Sequence, residues 1–303
     1  MTQDTYDVLV IGEGIAGLTA ASELAKAGLK TATLEAQLFG GLVINVNELE
    51  PGPEARQVSG AEFAAEMMQA NAELGVTSIQ EAATTIASSG ALLRVTTASA
   101  SYAARQVVAA SGARLKKLGV PGETEFEGRG VSQCADCDGP MYQNEQVVVA
   151  GGGDSALQEA LVLANYCKAV RIIHRGGKFR AQPHYIEAVA ANPKITTTWN
   201  ATIEAIGGSK MVEHIRIKHA DGRAEEFPCA GVFAYIGLAP NTDFVPPEVA
   251  RDATGCVITQ DNLETARPGM WAIGAVRSGY GGTLPDAMEE ARRVAAAISA
   301  RLT

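Results

Sequence analysis

The chain has 303 residues, 47% hydrophobic and 19% charged, which allows two domains with sizeable cores and excludes a disordered composition. Its 34 acidic against 25 basic residues disfavour a general nucleic-acid surface. The opening MTQDTYDVLVIG lacks a basic segment and its apolar run breaks at Gly12 and Glu13, so neither signal peptide nor membrane span is expected, and the cytoplasm is the expected compartment.

Tyr6 to Ile11 reads as an apolar strand, followed by the glycine turn GEGIAG at 12–17. A helix is predicted from about Ile15 to Ala27, stopped by Gly28, and then a strand from Lys30 to Leu34 that ends at Glu35. Strand, tight glycine turn, helix and strand with a terminal acid is the context that a dinucleotide fingerprint requires. Gly12 makes the turn, Gly14 lets a pyrophosphate approach the backbone, and Gly17 permits close helix–strand packing. The helix N-terminus offers free N–H groups to phosphates, and Glu35 can accept hydrogen bonds from ribose hydroxyls.

Further along the chain stands Cys134-Ala135-Asp136-Cys137-Asp138, a CxxC pair with a carboxylate directly behind it. Two thiols this close can cycle between dithiol and disulfide, and beside a βαβ pattern they read as redox-active. A zinc ribbon needs a second CxxC or a histidine pair at ligand spacing, and the sequence has neither, so no metal is expected. Cys167, Cys229 and Cys256 read as buried small apolar residues. Asp136 adds a charge that disfavours thiolates unless it points to solvent.

The fingerprint then returns. A strand from Gln146 to Ala150 leads into GGGDSA at 151–156, a helix to about Asn165 and a strand from Ala169 to Ile173. Gly12 to Glu35 and Gly151 to His174 both span 23 positions. The second copy ends in His174-Arg175, with Lys178 and Arg180 close behind, where the first ends in an acid. An acid suits a ribose with free hydroxyls, and arginine suits a 2′-phosphate, so the first site fits FAD or NAD and the second NADP. A nicotinamide hydride and a dithiol are both two-electron species, and a flavin can relay between them. The departing thiolate needs a proton donor, for which Asp138 is the candidate because all four histidines lie in the middle segment.

Near the C-terminus, Thr283 and Asp286 have capping-box spacing, and Pro285 suits a first helical turn. Leu284, Ala287, Met288, Ala291, Val294, Ala295 and Ile298 form one apolar stripe, with Glu289, Glu290, Arg292 and Arg293 outside it. The helix start could face a flavin edge, while Tyr280 in the glycine-rich loop 278–282 reads as a packing residue.

Taken together, these residues resemble the low-molecular-weight, bacterial-type thioredoxin reductases. CADCDGPMY is similar to that family's Cys-x-x-Cys-Asp-Gly segment, GGGDSALQEALVLAN to its NADPH turn and helix, and HRGGKFRA to its His-Arg-Arg-x-x-x-Arg box. AASGAR at 109–114 and FAYIGLAPNT at 233–242 resemble its two interdomain crossovers. The resemblance implies an α/β fold of two Rossmann-like, three-layer nucleotide-binding domains, with the NADPH domain inserted into the FAD domain. The FAD domain would comprise 1–113 and 241–303, and the NAD(P)H domain 114–240 with the CxxC. It also implies a homodimer in which one domain rotates against the other, with Cys137 facing the flavin, Cys134 attacking the substrate and Asp138 as the acid. Besides the fingerprint residues, it places FAD contacts at Ile15, Ala16, Ala36, Gly40, Gly41 and Leu42. Further FAD contacts fall on Ser111, Gly112 and Ala113 and on Gly274, Ala275, Thr283 and Leu284. For NADPH, with NADH as a second donor, it implies Gly153, Asp154, Ser155, Ala156, His174, Arg175, Arg180 and Gly237.

Three positions depart from the family pattern. Gly176 replaces the second arginine of the phosphate box, Ala275 the acid of a Gly-Asp pair that binds the ribityl chain, and Gly282-Thr283-Leu284 an Arg-Gln-Ala. The expected function is electron transfer from NADPH through FAD and the cysteine pair to thioredoxin, a thioredoxin-like protein or a small-molecule disulfide. The alternatives are a dithiol oxidase acting on a small molecule and a redox sensor without turnover.

Overall fold

A computed structural model of the protein describes residues 5–46, 49 and 58–302. The chain divides into two compact units, Met1–Arg114 with Ala239–Thr303, and Leu115–Leu238. The first begins with β1 (Thr5–Ile11), α1 (Ile15–Lys26), β2 (Thr31–Leu34), α2 (Gly60–Glu73), β3 (Thr77–Ile79), β4 (Thr85–Ser89), β5 (Leu92–Thr96) and β6 (Ser101–Ala109). β1 is buried along most of its length, as a parallel strand covered on both faces must be, which is why it reads as an unbroken apolar run. It pairs in parallel with β2 on one side and β6 on the other. The chain leaves this unit through β7 (Ala113–Leu115).

The second unit contains β8 (Val131–Ser132), the one-turn α3 (Ala135–Asp138), β9 (Gln146–Gly151), α4 (Asp154–Tyr166), β10 (Ala169–Ile173), α5 (Pro183–Ala191) and β11 (Ile195–Thr198). β12 (Ala201–Gly208), β13 (Val212–His219) and β14 (Ala224–Pro228) form an antiparallel meander, and β15 (Gly231–Tyr235) returns to the parallel sheet. That sheet has the order β11-β10-β9-β15-β8. Ala156, Leu157, Ala160 and Leu163 of α4 pack against it with Val147, Val149 and Ile172. The meander residues Ile203, Ile215 and Ile217 join Val148 and Val232 in a separate cluster.

β16 (Leu238–Pro240) pairs with β7, and β17 (Met270–Ala272) and α6 (Leu284–Leu302) complete the first unit. Among the described residues its sheet runs β3-β2-β1-β6-β5-β4, with β17 on β6 beyond the stretch that β5 occupies. Both units therefore wind the same way, two parallel strands to one side of the first strand and a return strand on the other. This arrangement puts each glycine turn at the carboxyl end of its central strand, where the winding reverses. Ala20, Ala21 and Leu24 of α1 share a core with Ala291, Val294 and Ile298 of α6.

The start of α6 follows the sequence reading, because Thr283 N donates to Asp286 Oδ2 at 3.1 Å and Asp286 N to Thr283 Oγ1 at 3.3 Å. Glu290 corrects it: only 6% exposed, it lies within the packed face, since Arg277 and the Gly274 amide reach it there. Cys167 and Cys229 are buried, and burial pushes their thiols up to about 11 and about 12. Cys256, expected in the same class, is instead half-buried in the loop that the Asp252 carboxylate organises.

Candidate functional site

The first glycine turn is shaped by close backbone approach. Gly12 has φ +108°, and a Cβ there would lie 2.4 Å from the Ala110 carbonyl oxygen. A Cβ on Gly17 would lie 1.9 Å from the Gly12 oxygen, so only glycine lets α1 come this near β1. Gly14 is the N-cap of α1 without a side-chain cap, and its Cβ direction is open to 3.9 Å. Uncapped N–H groups with open space in front of them are what a pyrophosphate needs. Glu35 at the end of β2 is half-buried, accepting from the Glu13 amide at 2.8 Å and the Gln37 amide at 2.9 Å. Glu13 is fully buried and pinned by Thr33 Oγ1 at 2.5 Å and Ser78 Oγ at 2.6 Å, which ties the turn to β2 and β3.

Around this turn, the unit gathers Gly40, in a bridge with Gly14, the 3-10 turn Gly41–Asn45 containing Leu42, and the 111–113 segment. Ser111 Oγ donates to the Asn241 oxygen at 2.7 Å, so the segments that leave and re-enter this unit are bound to each other. Gly274 sits near α1, and a Cβ on it would meet Ala16 at 3.0 Å. Its amide donates to Glu290 Oε2 at 2.7 Å, and Glu290 Oε1 accepts from Arg277, whose Nη1 and Nη2 donate to the Ser278 and Gly279 carbonyls. Ala275 follows with no polar side chain, so the loop is set by the buried Arg277–Glu290 pair. The neighbourhood of buried Ile15 and Ala16 and half-buried Leu284 is apolar, while Thr283 and the exposed Ala36 lie at chain turns of the same unit. The donor set, open turn and half-buried acid fit an FAD, with Ala275 lacking the expected ribityl acceptor.

The second turn is equally close-packed. A Cβ on Gly151 would lie 2.4 Å from the Tyr235 oxygen, and one on Gly152 2.2 Å from His174 Nδ1. Gly153 is an uncapped N-cap for α4, leaving Asp154, Ser155 and Ala156 as its first turn. Asp154 is already engaged, accepting from the Gln182 amide at 2.7 Å. His174 is buried with Nδ1 3.0 Å from the Gly151 oxygen and Nε2 3.0 Å from the Lys178 oxygen, so its ring holds the phosphate box against the turn. Arg180 N donates to the Gly152 oxygen at 2.8 Å in the same sense. Arg175, Lys178 and Arg180 are exposed, and among the described residues none of their side chains has an anionic partner. A Cβ on Gly176 would lie 3.1 Å from His174 Nε2, a tight approach, whereas one on Gly177 would make ordinary contact with Asn200. Gly237, with φ +110°, lies apart on the strand exit, open on its Cβ side.

Cys134 and Cys137 form a disulfide with Cα atoms 5.4 Å apart. Cys134 is half-buried as the N-cap of α3, and its sulfur accepts from the Cys137 amide at 3.2 Å. Cys137 is exposed, and Asp138 behind it is half-buried. Met141, 72% exposed, and Pro140 continue the outward surface beyond Cys137.

Two side chains of this site went unnoticed in the sequence. Glu159 Oε2 accepts from the Ala135 amide at 3.2 Å and from the Tyr235 hydroxyl at 3.2 Å. Burial raises the Glu159 carboxyl above its usual range, and burial followed by the Glu159 charge raises the Tyr235 phenol. The available signal was an acid three residues after Ala156 and four before Leu163, on the apolar face of a helix.

Residues 6–295 match the family of pyridine nucleotide-disulphide oxidoreductases. The chain is 40% identical over 275 residues to a thioredoxin reductase of Treponema pallidum, covering 90% of this chain and 89% of that protein. Among solved structures, Lactococcus lactis thioredoxin reductase superposes with a TM-score of 0.92 at 34% identity, covering 98% of this chain and all of that one. T. acidophilum thioredoxin reductase gives 0.89 at 28% identity, with 98% of both chains covered.

Proposed function

This chain belongs to the pyridine nucleotide-disulphide oxidoreductases, among the thioredoxin reductases, and we propose that it is a flavoprotein disulfide reductase that passes electrons from NADPH through FAD and Cys134–Cys137 to a thioredoxin-like disulfide. The observation that carries this reading is the Cys134–Cys137 disulfide, held on a short turn in the same unit as a second dinucleotide fingerprint. In this reading, the first unit holds FAD through the α1 N-terminus, Glu35 and the 40–42, 111–113 and 274–284 segments. FAD when bound supplies a two-electron relay between a hydride donor and a dithiol.

The residues of the second unit do the rest. The N-terminus of α4 takes the NADPH pyrophosphate, and Arg175, Lys178 and Arg180 take the 2′-phosphate, three cations without a carboxylate partner among the described residues in a chain of net charge −9. Gly176 weakens the charge there, so NADH remains a second donor. Arg175→Ala is expected to raise the KM for NADPH about tenfold or more and to leave that for NADH unchanged, because only the former carries the phosphate. Steady-state kinetics with both donors checks this.

Toward the substrate, one cysteine attacks the disulfide and the other resolves the mixed disulfide, with Asp138 supplying a proton to the departing thiolate. By family resemblance Cys134 attacks and Cys137 meets the flavin. The exposure of Cys137 favours a second reading, in which Cys137 attacks the substrate and Cys134, whose sulfur accepts a hydrogen bond from the Cys137 amide, resolves the mixed disulfide. Met141 and Pro140 beside it favour a protein partner over a small molecule, since they extend the surface around the sulfur. The homodimer and cytoplasmic location implied by the resemblance belong to this reading, and no described helix is long and apolar enough to cross a membrane.

The test is anaerobic titration of the purified protein with NADPH, followed by NADPH oxidation with thioredoxin disulfide. Flavin bleaching and thioredoxin-dependent turnover are expected. A protein that cannot take up FAD overturns the proposal, and a flavin reduced by dithiols but by neither nicotinamide assigns the oxidase activity instead.

A further inference from the structure

We propose that Glu159 is a positioning residue that sets the protonation, and with it the reduction potential, of the Cys134–Cys137 pair. This rests on the disulfide-reductase reading and concerns the same pair.

The geometry is a carboxylate placed against the redox turn from below. Glu159 projects from α4, and its Oε2 lies 3.2 Å from the Ala135 amide, one peptide bond beyond Cys134. The same oxygen receives the Tyr235 hydroxyl from β15, also at 3.2 Å, so the side chain is fixed from two elements. Tyr235 is 8% exposed and Ala135 is fully buried, while Glu159 and Cys134 are half-buried, so water screens the site only in part. The titratable groups facing Glu159 are Tyr235 on β15 and Asp136 on the redox turn, and Cys134 immediately precedes the residue whose amide donates to it. Among the described residues no lysine or arginine pairs with it. Burial, assisted by the Asp136 charge, holds its carboxyl above the usual range.

Reduction of the disulfide breaks the S–S bond, takes up two electrons from NADPH by way of the flavin, and takes up two protons when both sulfurs end as thiols. The reverse step gives two electrons and two protons to the substrate disulfide as the Cys134–Cys137 bond re-forms. If Cys134 ends as a thiolate, one proton fewer is bound and its negative charge arises on the residue next to the Ala135 amide that donates to Glu159. A charged Glu159 penalises that thiolate and leaves the neutral disulfide and dithiol untouched. It therefore keeps electron transfer coupled to proton transfer and holds the potential low, since a stabilised thiolate makes a disulfide more oxidising. Asp138 does not substitute for it, because it follows Cys137 at the opposite end of the turn.

The experiment uses the full-length holoprotein and Glu159→Gln, an amide that can still accept from Ala135 and Tyr235. The pair is equilibrated with dithiothreitol buffers from about pH 6 to pH 9, and its redox state is read by alkylation and mass shift, without NADPH or thioredoxin. The thiol pKa is read from alkylation rate against pH. Glu159→Gln is expected to lower the Cys134 thiol pKa by about one unit and, at alkaline pH, to shift the equilibrium constant about tenfold toward dithiol, or about 30 mV for a two-electron couple. The two proteins should coincide in acid, where both reduced pairs are thiols, and separate as pH rises. A potential and thiol pKa equal to wild type at every pH, or shifted by the same amount at every pH, would overturn the inference. A wild-type pair that does not cycle at all defeats instead the reductase reading. Glu159→Asp, with a shorter side chain, should restore part of the pH dependence.

Discussion

Serine at either position of the cysteine pair is expected to cut NADPH-driven disulfide reduction to below about a thousandth of the wild-type rate, with FAD content unchanged. Reduction of a disulfide needs two electrons and two sulfurs, and a lone thiol stops at a mixed disulfide. FAD content should hold because the cysteines lie in the unit Leu115–Leu238, whereas the first glycine turn and Glu35 lie in the other. The same variants separate the two sulfur roles. If exposed Cys137 attacks first, Cys134→Ser will accumulate a stable mixed disulfide with thioredoxin and Cys137→Ser will not. The opposite pattern restores the order that the family resemblance implies. Mass spectrometry of the trapped adducts decides between them, and retained turnover in either variant would remove the pair from the reaction.

Glu290→Ala is expected to destabilise the protein by about 3–5 kcal/mol and to weaken FAD retention. Glu290 and Arg277 have side chains only 7% and 15% exposed, so removing the carboxylate leaves a guanidinium buried with no compensating charge. The Gly274 amide loses its acceptor at the same time, and Arg277, which holds the 278 and 279 carbonyls, loses the carboxylate that fixes it. Arg277→Met with Glu290→Leu should recover much of the loss in urea denaturation, because two apolar groups of similar volume need no partner. FAD retention should stay impaired in that double variant, since the Gly274 amide still lacks its acceptor and the carbonyls at 278 and 279 lose the Arg277 donor as well. Equal stability of Glu290→Ala and wild type would show that water replaces the carboxylate.

The winding of both units and the two glycine turns were legible because each rests on residues next to one another in sequence. Gly12, Gly17, Gly151 and Gly152 are positions where a side chain would strike backbone or ring atoms, and such constraints leave a local signature. The start of α6 was readable for the same reason, as Thr283 and Asp286 satisfy each other. Glu290 was not, because its partners Arg277 and Gly274 come from a loop before the helix, and periodicity alone assigns a glutamate to solvent. Glu159 was hidden likewise: its partners Ala135 and Tyr235 are 24 and 76 residues away. The His174 ring was expected to contact a ligand. Its bonds to two backbone carbonyls could not be read from spacing.

The first unit is discontinuous in sequence, and this governs the order in which the molecule can form on the ribosome. The apolar face of α1 is completed by α6, and Gln106 of β6 receives the Trp271 indole N–H from β17. Neither partner exists until the final stretch Ala239–Thr303 has been made. The unit Leu115–Leu238 is contiguous, and the Lys116 amide bonds the Gly237 oxygen, closing its two ends on each other. It can reach its native state first, while Ala20, Ala21 and Leu24 stay uncovered. At roughly 5–20 residues per second of synthesis, that exposure lasts on the order of several seconds. The nascent chain is therefore most prone to aggregate, and most dependent on a holding chaperone, after one unit is already complete.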